Sequence, residues 1–180
     1  MERVINNITY KLTYKRVKNI NMRIGADGTV KVSAPFGTNT KFIDDFVWSR
    51  RSAIKEAKSR TDSRTPVPEP DAAPLDIYKR LYAVYRAIYS CCFSRCGFDM
   101  PKLKIRTMKS QWGNCRRERG LITLNSYLYS LPDRYIEYIA AHELSHILVP
   151  NHSKAFYEVL AAALPDHRER EAELKQWKIT

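Results

Sequence analysis

Residues 131–152 read LPDRYIEYIAAHELSHILVPNH. Apolar side chains recur at Ile136, Ile139, Ala140, Ala141, Leu144, Ile147 and Leu148, with Pro132 at a favourable start, so the stretch predicts a buried helix running to about Val149. Into that run are set His142, Glu143 and His146. On a helix, positions i and i+4 lie one turn apart on the same face, so two imidazoles there can bind one zinc ion. Glu143, beside the first histidine, can reach the metal-bound water as a general base. Burying two histidines and a carboxylate is costly without partners, and a metal supplies a partner for all three, directly or through its water.

A third ligand follows from the way the helix must end. Pro150 lacks an amide hydrogen and clashes with the carbonyl of His146, and Val149 before it is driven out of the helical region. The chain can then fold Asn151-His152 back toward the metal, and Ser153 suits the cap of the next helix. Three protein ligands plus water is the pattern of an open catalytic zinc site. Two blander readings stand beside it: a satisfied buried histidine pair with a structural Glu143, and a closed structural zinc, which needs a fourth protein ligand.

Working outward, LITL at 121–124 reads as a strand, placed as a sheet edge near the site where extended peptide can pair. Gly113 and Gly120 bracket a basic turn, NCRRERG, and KLKIRTM at 102–108 alternates as another strand. From Leu75 to about Arg95 the apolar positions, many of them tyrosines, fall at helical spacing and predict packing on the core with hydroxyls at the rim. Beyond the site a helix is expected over 154–163, then an interruption at Leu164-Pro165-Asp166, then a charged helix HREREAELKQW in which His167 reads as exposed.

Four prolines over 60–74 mark a linker or ordered extended loop. Before it, ITYKLTY (8–14) reads as a strand, and INMRI (20–24) with GTVKVSA (28–34) reads as a hairpin turning at Asp27-Gly28. A helix capped by Thr38 or Thr40 then runs through about Lys58, burying Phe42, Ile43, Phe46, Val47, Ile54 and Ala57. The domain expectation is thus 1–59 as a β-hairpin plus helix, 60–74 as linker and 75–180 as the domain carrying the site.

The 180 residues carry a net charge of +12 and are 44% hydrophobic, too apolar for a disordered chain. No apolar run suggests a membrane span and no secretory signal is visible, which points to a cytoplasmic protein without a membrane partner. Three of the four cysteines crowd together at Cys91, Cys92 and Cys96, a poor disulfide framework. Cys115 could join Cys92 and Cys96 at a second metal, but no C-x2-C pair exists and buried thiols are expected. The basic surplus lies in residues 1–60 and 102–119, away from HELSH, and can attract DNA or another polyanion or simply solubilise the surface.

Lys109-Ser110-Gln111-Trp112-Gly113-Asn114-Cys115, Ile122-Thr123-Leu124-Asn125, Leu131-Pro132, the HELSH segment and Asn151-His152-Ser153 together resemble the YgjP-like metallopeptidases, a group similar to the WLM and SprT-type proteases. The resemblance is strong over about 75–178 and weaker over 8–58. It implies an α+β fold, with a zincin-like helical core and a small antiparallel sheet preceded by an N-terminal β-rich subdomain. It also implies one zinc ion on His142, His146 and His152, Glu143 as catalytic base, and hydrolysis of peptides or unfolded proteins. The spacing from first to third histidine also matches the metzincins, but Val149 stands where they place glycine. Relatives of SprT act on proteins crosslinked to DNA. Tyr157 and Asn125 are candidate helpers of the oxyanion, and Trp112 either lines the substrate cleft or plugs the core beneath the helix.

Overall fold

Two units, Met1–Arg64 and Thr65–Thr180, each with its own buried cluster, make up the computed structural model, which describes residues 1–25 and 27–179. In the first unit a four-stranded sheet has the order β1 (Glu2–Ile5), β2 (Ile8–Lys15), β4 (Val30–Pro35), β3 (Asn21–Ile24). The expected hairpin forms, with Met22 opposite Val32 and Ile24 opposite Val30. The alternation of β2 and β4 turns Tyr10, Leu12, Val30, Val32 and Ala34 onto one buried face. That face is covered by Ile43, Val47 and Ile54 of two helices, α1 (Thr40–Ser49) and α2 (Arg51–Asp62).

Several expectations for this unit change. β1 adds a fourth strand to the three expected, and β2 pairs with β4 in parallel, which no local pattern signals. The single helix to Lys58 is broken at Arg50, whose backbone (φ −100°, ψ 10°) leaves the helical region. Its cap is Asn39, whose side chain accepts from the Lys41 amide, rather than Thr38 or Thr40. Phe42 is 65% exposed, because the core side of α1 is set by Ile43 and Val47, and Phe42 falls off that stripe.

The second unit begins inside the stretch read as a linker. β5 (Thr65–Pro66) pairs in parallel with β9 (Trp177–Lys178), and Val67 is fully buried with the second core. α3 (Pro74–Ile88) follows, its end widening into a π-helical turn over Tyr89–Phe93. The tyrosines pack on the core as expected, but not all keep their hydroxyls at the rim: Tyr85 is wholly buried and donates to the Pro101 carbonyl, while the half-buried Tyr89 donates to that of Phe98.

A three-stranded sheet has the order β6 (Lys102–Arg106), β8 (Leu121–Asn125), β7 (Gly113–Arg116). It is mixed rather than antiparallel, since β6 and β8 run parallel and only β7 and β8 are antiparallel. The first half of the expected basic turn is therefore strand β7, and the LITL strand lies at the centre of the sheet, not its edge. Ile122, Thr123, Leu124 and Asn125 are all buried, because both faces of this central strand are covered. The remaining helices are α4 (Asp133–Leu148), α5 (Lys154–Ala163) and α6 (His167–Leu174). The charged tail is helical only to Leu174, and Trp177 turns into β9.

Candidate metal centre

α4 packs against β7 and α5, and this places the site. Its apolar residues Ile136, Ala140, Ala141 and Leu144 are wholly buried, which fixes the rotation of the helix and sends His142 and His146 along one side. The helix stops where Pro150 dictates: Val149 is extended (φ −128°, ψ 109°) and its amide donates to the Ser145 carbonyl. The chain doubles back through Asn151 and His152, and α5 starts at Lys154 with Ser153 in the cap position, although the Ser153 side chain makes no capping bond.

The three imidazoles converge. Their ligand atoms lie within 4.8 Å of one another, and Nε2 of His142 is 3.1 Å from Nε2 of His152. Ring centroids of His146 are 4.9 Å from His142 and 4.7 Å from His152. His146 Nδ1 lies 3.2 Å from the Val149 carbonyl; donation there leaves Nε2 as the free donor atom for a metal. Beneath all three sits Phe156 of α5, fully buried, with its ring 4.5 to 5.0 Å from theirs. An apolar position on the helix after the third histidine was the only trace of this floor in the sequence.

Burial, and then the proximity of His146 and His152, pushes the His142 imidazole down to about 3, and burial also lowers His146. Both rings are therefore neutral, the form that binds metal. The Nδ1 atom of His142 is buried without a protein partner. Glu143 is 6% exposed and pairs with no cation among the described residues, and burial pushes its carboxyl up to about 8. A cation on the neighbouring imidazoles would oppose that shift and favour the carboxylate. The residues present thus fit one divalent metal ion: three converging imidazole nitrogens and an unpaired buried acid.

Gly113 is the second feature that the sequence did not disclose. A Cβ at this position would stand 2.6 Å from Glu143 Oε1 and 2.8 Å from Ile139 Cγ2, so only glycine lets β7 lie this close to α4. The metal side of α4 and the strand β7 border a cleft of about 650 Å³, lined by Gly113, Asn114, Cys115, Arg117 and Glu118 on one wall. His142, Glu143, His146, Pro150 and His152 line the other. Burial pushes the Cys115 thiol up to about 11, so it is a neutral wall residue.

The other candidates divide. Tyr157 is 42% exposed with its ring 6.4 Å from His152, within the neighbourhood of the site. Asn125 is fully buried and its amide is consumed by the backbone: it donates to the carbonyls of Met108 and Gln111 and accepts from the amides of Met108 and Tyr127. It shapes the approach to β7 and has no free group for an oxyanion. Trp112 packs on the core and is absent from the cleft lining. His167 is 5% exposed, not a surface residue, with Nδ1 on the Leu164 carbonyl and its ring stacked at 6.4 Å on Tyr157. The thiols of Cys92 and Cys96 lie against the carbonyls of Ala163 and Cys92, and the histidine triad is the one metal-competent group among the described residues.

Comparison with known proteins bears on the same region. The family model described as YgjP-like, metallopeptidase domain, matches residues 75–177. The crystal structure of the metallopeptidase zymogen abylysin from Pyrococcus abyssi is similar at 20% identity and a TM-score of 0.48, over 56% of this chain and 99% of that one. No curated protein matches the chain.

Proposed function

The chain belongs to the YgjP-like metallopeptidase family, and from that membership we propose that it is a zinc-dependent endopeptidase acting on peptides or unfolded proteins, with Glu143 as general base. The observation that carries this is the convergence of His142, His146 and His152 beside an unpaired, buried Glu143. Among the described residues no fourth His, Cys, Asp or Glu joins the triad, which favours a site open to solvent over a closed structural one. Zinc held by the three imidazoles would supply Lewis acidity and lower the pKa of bound water to about 7.

The chain's own residues do the rest. Glu143, held as carboxylate by the neighbouring cation, would take the proton of the attacking water and pass it to the leaving amine. Phe156, fully buried, forms an apolar floor beneath the three rings. β7, an edge strand beside Glu143, offers its outer backbone to an extended substrate, and Gly113 keeps that strand within reach of the acid. Tyr157, with its ring 6.4 Å from that of His152, is the candidate side chain to steady the developing negative charge.

The test is Glu143→Gln beside His146→Ala, with zinc content and casein cleavage measured for each. Glu143→Gln should keep its zinc and lose cleavage by about 10²-fold or more. His146→Ala should lose both. Cleavage by Glu143→Gln at the parent's rate would remove the mechanism.

A further inference from the structure

The N-terminal sheet has one face covered by α1 and α2 and one face exposed. The register of that exposed face carries an arrangement that its own stability disfavours. Lys11 of β2 stands opposite Lys31 of β4, and Lys31 stands opposite Arg23 of β3, so three cations form one row across three adjacent strands. All three are exposed, and neighbouring strands lie only about 4.8 Å apart. Like charges directly opposite one another destabilise a sheet. No ion pair neutralises any of the three among the described residues. Glu2 faces Lys11 from β1, and the Asp27 carboxylate at the turn senses Lys31, so the acids lie at the margins of the row. The next row on the same face holds Thr13, Ser33 and Asn21, all hydrogen-bonding side chains, and Lys15 follows along β2.

We propose that this open sheet face, centred on the Lys11–Lys31–Arg23 row, docks the sugar-phosphate backbone of duplex nucleic acid. A polyanion is what converts a self-repelling row into a favourable one, since the row's cations displace its condensed counterions into bulk solution. Residues 1–64 carry the surplus that would draw it in, with cations well outnumbering acids. Duplex is favoured over single strand because the face has no stacking platform: alternation turns Tyr10 and Tyr14, the aromatic residues of the four strands, to the helix side. It is favoured over a lipid surface because the strands present cations and hydroxyls around a single exposed apolar side chain, Val4. The reading does not rest on peptide hydrolysis, since its measure is binding.

The experiment uses the full chain and a fluorescein-labelled, mixed-sequence DNA duplex, with anisotropy followed as salt is raised. The parent should bind, with the logarithm of affinity falling linearly with that of salt. Lys11→Thr, Arg23→Thr and Lys31→Thr combined should weaken binding at least about tenfold at ~0.1 M salt and reduce the slope by about 0.9 for each cation removed. Threonine suits exposed strand positions, so the variant should melt no lower than the parent; Lys31→Thr alone, at the centre of the row, gives the same reading if the triple variant does not fold. Lys41→Gln, Arg51→Gln and Lys55→Gln combined remove equal charge from the helix side and should leave most of the affinity. No binding by the parent at low salt would overturn the proposal. So would an equal loss in the two triple variants, or tighter binding to phosphatidylserine–phosphatidylcholine vesicles than to the duplex.

Discussion

Glu143 bears a large electrostatic penalty, and that penalty has a measurable sign. In the metal-free fold, burial holds its carboxyl protonated up to about 8, whereas in the unfolded chain it ionises near its ordinary 4.5. Between those values the folded form keeps a proton that the unfolded form has released. Its contribution to stability therefore falls as pH rises from 4.5 toward 8 and is constant above that. Glu143→Gln removes the titration, so the metal-free variant should melt above the metal-free parent at pH 8, with the two converging near pH 4. Scanning calorimetry after chelation reads this directly; parallel melting temperatures across the range would mean that the carboxyl is not buried as described. His142 acts in the opposite sense: its imidazole, pushed down to about 3, resists protonation in the fold, so acid below the usual histidine range withdraws stability.

At the scale of elements, the site depends on where α4 stops. His142 and His146 share a face by helical period alone, but His152 would point elsewhere if the helix continued. Pro150 and the extended Val149 turn the chain, and α5 then brings Phe156 under the rings. Pro150→Ala removes the block to another helical turn. The variant should remain folded by circular dichroism and lose metal affinity by roughly tenfold or more, in the range seen when the support of a ligand is removed. Competition with a chromogenic chelator measures it, and unchanged affinity would show that packing by α5, not the proline, holds His152. The histidine triad, the helix end and the 154–163 helix were all legible in the sequence because each rests on a local signal: period, proline and cap. The edge strand was misplaced because which strand has a free edge depends on pairing across distant segments, and LITL and GNCR each look able to serve.

At the scale of the molecule, the chain divides at residue 64, and β5 and Val67 belong with the second core. We therefore expect residues 65–180 to fold and bind metal without the first unit. A fragment starting at 75, the boundary that the prolines suggest, should be weaker, since it loses the β5–β9 pairing and the burial of Val67. That burial alone is worth about 1.5–3 kcal/mol. Urea unfolding of both fragments tests this, and equal midpoints would return residues 65–74 to the status of a linker. No helix among the described residues is long and apolar enough to cross a membrane.

By itself the chain's order of residues determined the three-histidine group, the acid beside it and the end of the helix that carries them, because those depend on neighbours within a turn or two. Folding decided what is near in space and far in sequence. Gly113 presses on Glu143, Phe156 lies under the three rings, Asn125 is spent on a loop, and three cations line up across separate strands. Close packing and strand register set those neighbours, and neither leaves a periodic mark on any one segment.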